Sequence, residues 1–305
     1  MRRHHLKAGA RTCHWGFFDA TRNPVLTIDS GDQITIDTLS GAPEFVPKSG
    51  FHVPPELAEV HAGAERFAGG PHILIGPNIE VRILEVKLRQ DWGYNIIRPL
   101  AGTLQDDFHE TRLMHIPLDE KRNVARLPWG LELPLAPFFG IMGAAPPKRW
   151  GRITSIVPRA HGGNLDNKEL AAGARLFLPI FVEGGLFSCG DGHGAQGDGE
   201  VCITTIETAL QRTFELIIRD DLAMTYPRAE TPTHFVTMGM DPDLDQCATI
   251  ALRDMIKLLG EMTNLTKEDA YTLCSVAADL RVTQTVNGSK GMHIMLKKSL
   301  LRTVN

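Results

Sequence analysis

The sequence Gly184-Gly-Leu-Phe-Ser-Cys-Gly-Asp-Gly-His-Gly-Ala-Gln-Gly-Asp-Gly-Glu200 is the most informative part of this chain of 305 residues. Seven of its seventeen residues are glycine, and acids, a histidine and a glutamine stand between them. Glycine adopts positive φ at little steric cost, so polar side chains can converge from a very short segment. Apolar runs at 176–182 and 201–206 flank it, and we expect both to form buried strands. The pattern predicts a catalytic or metal-binding turn, with a plain turn of solvated acids as the alternative.

The first two thirds of the chain predict mostly strands and turns. Residues 24–37 alternate on both sides of Ser30-Gly31-Asp32 and predict a hairpin. Further strands are expected at 73–75, 81–88 and 213–219. Six prolines between positions 128 and 158 leave no room there for long helices.

The last third predicts helices. Residues 243–262 present an apolar helical face after an acidic start, and Thr266 is a candidate N-cap for a second helix that ends at about Leu280. The predicted fold class is therefore α+β, predominantly β: a strand-rich body with a helical segment near the C-terminus. We expect one domain over residues 1–305, or two intimate subdomains: a β-rich one at about 1–150, and an α+β one at 151–305 that contains the main motifs.

Composition and charge limit the classes of partner. Apolar residues make up 43% of the chain and charged residues 22%, as in ordinary soluble enzymes. A formal net charge of −4 gives no electrostatic basis for binding nucleic acid or an anionic membrane. No apolar run is long enough for a spanning helix, and the basic start is not followed by the apolar segment of a signal peptide. Five scattered cysteines without a CxxC motif favour a reducing compartment, so we expect a cytoplasmic protein.

The residue types in the glycine-rich stretch suit a metal. Asp191 and His193 point to the same side of an extended segment, and imidazole and carboxylate are both zinc ligands. A third ligand is expected from the second polar turn, His161-Gly162-Gly163-Asn164-Leu165-Asp166, where Asp166 is the candidate and a cap or turn role is its alternative. In the same turn, Asn164 or the amides of Gly162 and Gly163 can polarise a carbonyl. A structural calcium ion is a further reading of the same acids.

Two other side chains are candidates for chemistry. Glu200 ends the glycine-rich stretch beside an apolar run, where desolvation would raise its pKa towards general-base use; an ion-paired carboxylate at a strand end is the alternative. Cys189 and His193 form a conceivable nucleophile–base pair, although cysteine is more often a small buried hydrophobe. A non-catalytic protein that binds a small ligand is the reading from another class.

These motifs resemble the acetamidase/formamidase family of amide hydrolases. The resemblance rests on His161–Asp166, on Leu178-Pro179-Ile180 and on Gly190–Glu200, in that order and with a strand between the two polar turns. Residues 137–146, 14–37 and 72–77 also resemble family segments, so the similarity covers most of residues 10–215. One departure stands out: the family usually has a longer hairpin where this chain passes directly through residues 79–86.

The resemblance implies cleavage of the C–N bond of a short linear carboxamide, such as formamide or acetamide, to a carboxylate and ammonia. It implies a β-rich fold and a homo-oligomeric enzyme that holds a divalent metal, for which we expect zinc and a metal-activated water. We assign Asp191, His193 and Asp166 as metal ligands, and Glu200 as general base and then acid. Asn164 and Gln196 are assigned as substrate contacts. Asp198 is the next candidate for the catalytic base after Glu200, and His161 or Asp198 can replace one of the ligands.

Overall fold

The computed structural model describes residues 1–66 and 79–303. The predicted segments at 73–75 and 72–77 lie outside these residues. In the first half, the strands are β1 Arg3–Leu6, β2 His14–Trp15, β3 Phe17–Phe18, β4 Asp32–Asp37, β5 Glu65–Arg66, β6 Ile79–Leu88, β7 Trp92–Ile97, β8 Arg112–Asp119, β9 Val124–Arg126, β10 Glu132–Pro134 and β11 Phe138–Gly143. In the second half, they are β12 Ile153–Thr154, β13 Gly162–Asn164, β14 Arg175–Leu178, β15 Ser188–His193, β16 Leu210–Ile218, β17 Arg228–Glu230, β18 His234–Asp241, β19 Asp279–Gln284 and β20 Lys290–Lys297.

The helices are α1 Glu56–Gly63, α2 Leu244–Met262 and α3 Lys267–Ala277. The side chain of Asp243 caps α2 and that of Thr266 caps α3, so both N-termini start where the sequence predicts. The predicted fold class is confirmed: a strand-rich α+β body with helices near the C-terminus. Within the described residues, no helix has both the length and the apolar character to cross a membrane.

One nine-stranded sheet draws on strands from both halves of the chain, in the order β1-β4-β16-β6-β14-β17-β18-β20-β19. Its neighbours are antiparallel except for the pair β1 and β4. A three-stranded sheet, β13-β11-β15, packs against it. The main apolar core lies between them, where Phe139, Met142 and Cys189 of the smaller sheet meet Val81, Phe214 and other residues of the larger. The smaller sheet is therefore a rigid platform, and both polar turns of the sequence begin from it.

The C-terminal helices cover one end of the large sheet. Helix α2 packs on β18 and β20 and encloses a second apolar cluster that includes Met255 and Leu259. Gly239 in β18 makes the close approach possible, because a Cβ there would overlap the backbone of Cys247 in the helix. This packing holds the β19–β20 hairpin beside the polar turns.

Four local predictions are wrong, for identifiable reasons. In the predicted 24–37 hairpin only β4, Asp32–Asp37, is a strand. It pairs with β1 on one side and with β16 on the other, so no edge remains for residues 24–29. Residues 201–206 form a turn instead of a buried strand: Val201 is 60% exposed, and Ile203 has a φ of 74° that a strand does not have.

The other two concern where elements end. The first half of the predicted glycine-rich turn is strand β15, and the strand predicted to run to Val182 ends at Leu178, before Pro179. Beyond these four, the second helix ends at Ala277, three residues before the predicted Leu280, since the chain then enters β19.

Candidate functional site

The ends of β13 and β15 bring the predicted acids together around His193. Asp166 lies two residues beyond β13, and Asp191 and His193 are in β15, which pairs with β11. Glu200 and Glu207 follow in the turn after β15, and Glu207 returns to form a single β-bridge with His193. One histidine and four carboxylates therefore meet at the edge of the small sheet.

The Nε2 atom of His193 is the centre of this cluster. It lies 3.5 Å from an Asp191 carboxylate oxygen, 3.5 Å from one of Glu207 and 3.9 Å from one of Asp166. These separations are longer than a normal hydrogen bond. His193 and Asp166 are fully buried, Glu200 and Glu207 nearly so, and the side chain of Asp191 is 28% exposed. Asp191 thus marks the side of the cluster that faces solvent.

Gln196 fixes the tautomer of His193. Its side-chain nitrogen donates to the carbonyl of Asp166 at 2.6 Å, so its side-chain oxygen is the atom that faces His193 Nδ1 at 2.9 Å. A carbonyl oxygen only accepts, so Nδ1 must carry the proton. Nε2 is then free to bind a cation or a second proton, and among the described residues it has no hydrogen-bond partner.

Burial and mutual repulsion change the pKa values of the acids. Burial raises the pKa of Asp166 to about 6, with Asp191 adding to the effect and His193 opposing it. The pKa of Glu200 is raised well above its usual value by burial and then by the neighbouring Asp166 charge. Burial also raises the pKa of Glu207. Crowded buried carboxylates of this kind require a proton or a cation between them.

His193 and Asp191 shift in the direction of an ion pair. Burial acts to lower the pKa of His193, but the charges of Glu207 and Asp191 outweigh it and raise the pKa well above the ordinary value. Burial acts to raise the pKa of Asp191, and the charge of His193 outweighs it, so that pKa is lowered. The cluster therefore favours positive charge at the position of Nε2.

The backbone at three of the four acids is in the left-handed region. φ is 46° at Asp166, 57° at Asp191 and 46° at Glu200. This conformation is uncommon for residues with a Cβ and costs of order 1–3 kcal/mol each. Such strain persists where the surroundings impose it, which is typical of functional sites.

Gly140 in β11 leaves the space in which the side chains meet. A Cβ at this position would lie 2.9 Å from an Asp191 carboxylate oxygen, 2.9 Å from His193 Cε1 and closer still to an Asp166 carboxylate oxygen. Any residue other than glycine would therefore fill the centre of the cluster.

The cluster fits a divalent metal ion. Two groups of three potential ligands share His193: one includes Asp166 and Asp191, and the other includes Glu200 and Glu207. Two ligands at about 2.1 Å from a tetrahedral zinc ion are ~3.4 Å apart, close to the 3.5 Å separations around Nε2. The unpartnered buried atoms, His193 Nε2 and Asp166 Oδ1, and the space over Gly140 support the same reading.

The other predicted site residues lie near the cluster but outside it. Asn164 is buried beside Asp166, and its side-chain oxygen has no donor among the described residues. The Gly162 amide donates to the Arg159 carbonyl, and Gly163 is paired with Met142 of β11.

Asp198 and His161 are engaged elsewhere. Asp198 is paired with Arg281 at 2.7 Å on the surface. His161 is fully buried against the rings of Phe18 and Trp150, and it is in neither group of potential ligands.

Cys189 is packed into the main core. Its side chain is 1% exposed among apolar residues, and burial raises the pKa of its thiol far above the usual range. A thiolate is strongly disfavoured in such surroundings.

Sequence reasoning missed three residues of the site. Glu207 was detectable as a lone acid within the otherwise uncharged run from 201 to 210. Gly140 and Asn287, whose amide nitrogen donates to Asp166, have no local signal, because their roles depend on pairings between distant segments.

Comparison with solved structures places the whole chain in one fold class. The structure is similar to that of an acetamidase from Bacillus halodurans over 99% of each chain, with a TM-score of 0.84 and 27% sequence identity. A predicted acetamidase/formamidase from Thermoanaerobacter tengcongensis shares the fold, at a TM-score of 0.86 and 23% identity, with 100% of this chain and 99% of that one covered. The fold is thus the one seen in structures of amide-cleaving enzymes.

Sequence comparison finds partial matches to one enzyme family. The acetamidase/formamidase family profile matches residues 152–295. A stretch of 47 residues, 15% of this chain, is 51% identical to an acetamidase of Mycolicibacterium smegmatis and 49% identical to a formamidase of Methylophilus methylotrophus. The matched stretch spans only 12% of the length of each of these relatives. Residues 152–295 thus match the acetamidase/formamidase family profile, and the fold is that of an acetamidase structure.

Proposed function

We propose that this protein hydrolyses a short linear carboxamide, of the formamide or acetamide type, to a carboxylate and ammonia at the His193 cluster. Water adds to the carbonyl carbon, the C–N bond breaks, and the amine leaves with a proton. The observation that supports this most directly is the buried His193 Nε2, which has no hydrogen-bond partner among the described residues and faces three carboxylates within 3.9 Å. The match of residues 152–295 to the acetamidase/formamidase profile supports the substrate class.

We propose that Asp166, Asp191 and His193 hold a divalent metal, with zinc as the expected ion and Glu207 as the nearest further ligand. Such an ion supplies Lewis-acid activation of water and of the substrate carbonyl when it is bound. Gln196 keeps the Nδ1 proton of His193 in place, so that Nε2 faces the ion. The backbone amide of Thr205 donates a hydrogen bond to the Glu207 carboxylate at 2.9 Å and fixes its position.

Glu200 is the proposed proton carrier. Its Oε2 atom is buried and has no hydrogen-bond partner among the described residues, and its carboxyl group interacts with Asp166. It accepts a proton from the attacking water and delivers it to the leaving nitrogen. Asn164 offers a buried acceptor oxygen for the substrate N–H, an assignment that its unpartnered Oδ1 supports. We also propose that the protein forms a homo-oligomer, and sedimentation analysis measures its mass in solution.

The thiol mechanism has less support. A Cys189 nucleophile would have to ionise within the apolar core, where burial raises its pKa. A base next to it would be required, whereas the contacts of His193 are with acids and Gln196.

The first experiment combines metal analysis with an ammonia-release assay over a short amide series. We expect about one equivalent of zinc in the purified protein and loss of activity on chelation. His193→Gln should lose both metal and activity, whereas His161→Gln, at an equally buried histidine outside the cluster, should keep both. Full turnover by metal-free protein would refute the metal. Folded, zinc-loaded protein that releases no ammonia from any of the amides would refute the activity.

A second experiment isolates the proton carrier. Glu200→Gln keeps the size of the side chain but cannot exchange a proton, so kcat should fall by roughly 10²–10⁴-fold with the zinc retained. A zinc-loaded variant with an unchanged kcat would place the base elsewhere.

A further inference from the structure

The turn between β19 and β20 inserts one side chain into the cluster from the far end of the chain. The side-chain nitrogen of Asn287 donates to Asp166 Oδ2 and, at 3.4 Å, to the carbonyl of Asn164. Asn287 is 3% exposed. Because both partners only accept, the amide nitrogen must be the atom that points at Asp166.

Gln284 sets the position of this turn. Its side-chain oxygen accepts from the backbone amides of Val286 at 2.9 Å and Asn287 at 3.1 Å, and its nitrogen donates to the Ser289 carbonyl at 2.8 Å. Gln284 is fully buried. The Gln284 side chain thus fixes the conformation of the turn, so the side-chain amide of Asn287 is oriented independently of its contact with Asp166.

The same hairpin is fastened to the glycine-rich loop. The Gly199 amide donates to the Thr283 carbonyl at 3.2 Å, and the Thr285 amide donates to the Gly199 carbonyl at 3.0 Å. Arg281 in β19 bridges Asp198, in the glycine-rich stretch, and Glu169, three residues after the turn that ends at Asp166. The hairpin therefore contacts both turns at once.

We propose that Asn287 is a positioning residue for Asp166 and sets the affinity of the cluster for its metal. The amide engages Oδ2, which leaves Oδ1 turned towards His193 Nε2. Oδ1 is the Asp166 atom without a hydrogen-bond donor among the described residues. Asp166 has a left-handed φ of 46°, so its side-chain direction cannot be set by ordinary backbone preference alone. This inference rests on the proposed metal site.

An amide at position 287 suits this task better than a carboxylate or an apolar side chain would. A carboxylate at position 287 would repel Asp166, and an apolar side chain would leave Oδ2 buried without a donor. Outer hydrogen bonds that orient a metal-binding carboxylate typically change metal affinity 10–100-fold when they are removed.

The test uses the full chain loaded with Zn²⁺ and measures Kd by competition with a chromogenic chelator. Asn287→Leu keeps the approximate shape and removes the donor, and we expect Kd to rise 10–100-fold. Thr285→Val is the matched control in the same hairpin. It removes the hydrogen bonds of the Thr285 hydroxyl with the Gly199 carbonyl, at 2.9 Å, and with the Thr103 hydroxyl, and it leaves Asn287 in place. Its Kd should stay within threefold of the parent value.

A spectroscopic measurement separates positioning from general loosening. In Co²⁺-substituted protein, Asn287→Leu should change the visible absorption bands, which report ligand geometry, while Thr285→Val should not. If Asn287→Leu does not fold, Asn287→Ser tests the same point with a smaller side chain.

Folded Asn287 variants with the parent Kd and spectrum would overturn this inference alone. Parent protein that binds no zinc would overturn the proposed metal site, and the inference with it.

Discussion

Substitution of Gly140 by alanine tests the geometry of the cluster with a single methyl group. The added Cβ would lie 2.9 Å from both an Asp191 oxygen and His193 Cε1, and closer to Asp166. An ordinary contact between non-bonded carbon atoms is about 3.5 Å or longer, so the His193 ring must retreat by about 0.6 Å, Asp191 by a similar distance and Asp166 by more. Overpacking of this size typically costs about 1–3 kcal/mol of unfolding free energy.

The effect on function should be larger than the effect on stability. Displacement of catalytic groups by up to about 1 Å can cost roughly 10²-fold in rate, and the methyl also fills the space that a metal ion would occupy. We expect Gly140→Ala to lose zinc and at least 99% of its ammonia release while it remains folded at 25 °C. Urea unfolding, metal analysis and the amide assay measure the three quantities.

Gly197→Ala is the control for Gly140→Ala. Gly197 belongs to the same glycine-rich stretch, yet a Cβ there meets no atom within 4 Å. This variant should keep its zinc and its activity. Wild-type zinc affinity and turnover in Gly140→Ala would show that the ligands do not meet where we place them.

Three further results are expected. Cys189→Ser should keep turnover per folded molecule within about tenfold of the parent, at a stability cost of about 1–3 kcal/mol for the buried hydroxyl; loss of activity in the folded, zinc-loaded variant would favour the thiol mechanism. Burial, and then the charge of Arg159, lowers the pKa of His161 to about 3, so the unfolded chain binds a proton below pH ~6.5 and the folded protein does not. The parent protein should therefore lose unfolding free energy as the pH falls from 6 to 4, and His161→Phe should lose less, by up to about 1.4 kcal/mol per pH unit. The same dependence of unfolding free energy on pH in both proteins would contradict this. Gly260→Ala, in helix α2 with open space around it, should stabilise the protein by about 0.5–1 kcal/mol in urea unfolding, whereas a lower midpoint would indicate a hidden contact.

The part of the site that sequence predicts is the part built from neighbouring residues. Asp191 and His193 lie two apart, and Asp166 and Glu200 close the two glycine-containing turns, so composition alone singles them out. Helices α2 and α3 were predictable for the same reason, since a cap and an apolar face are local features.

The remainder depends on which segments become neighbours in space. Gly140 is one of 29 glycines, and only its pairing with β15 shows that it lies under the acids. The 24–37 hairpin failed because β4 pairs instead with β1 and β16, at distances along the chain that no turn signal reports. Residues 201–206 are apolar enough for a strand, but the turn that positions Glu200 and Glu207 prevents one.

The position of Asn287, C-terminal to all the clustered acids, has a consequence for biosynthesis. His193 and all four acids leave the ribosome first, because Glu207 precedes Asn287 by about 80 residues. At roughly 5–20 residues per second this is a delay of about 4–16 s, during which the acids have emerged but the hairpin that orients Asp166 has not. We therefore expect that a nascent chain without the β19–β20 hairpin binds zinc weakly, and that the ion is retained only once this hairpin has formed. In a cell, the synthesis of the hairpin would then set the moment of metal capture.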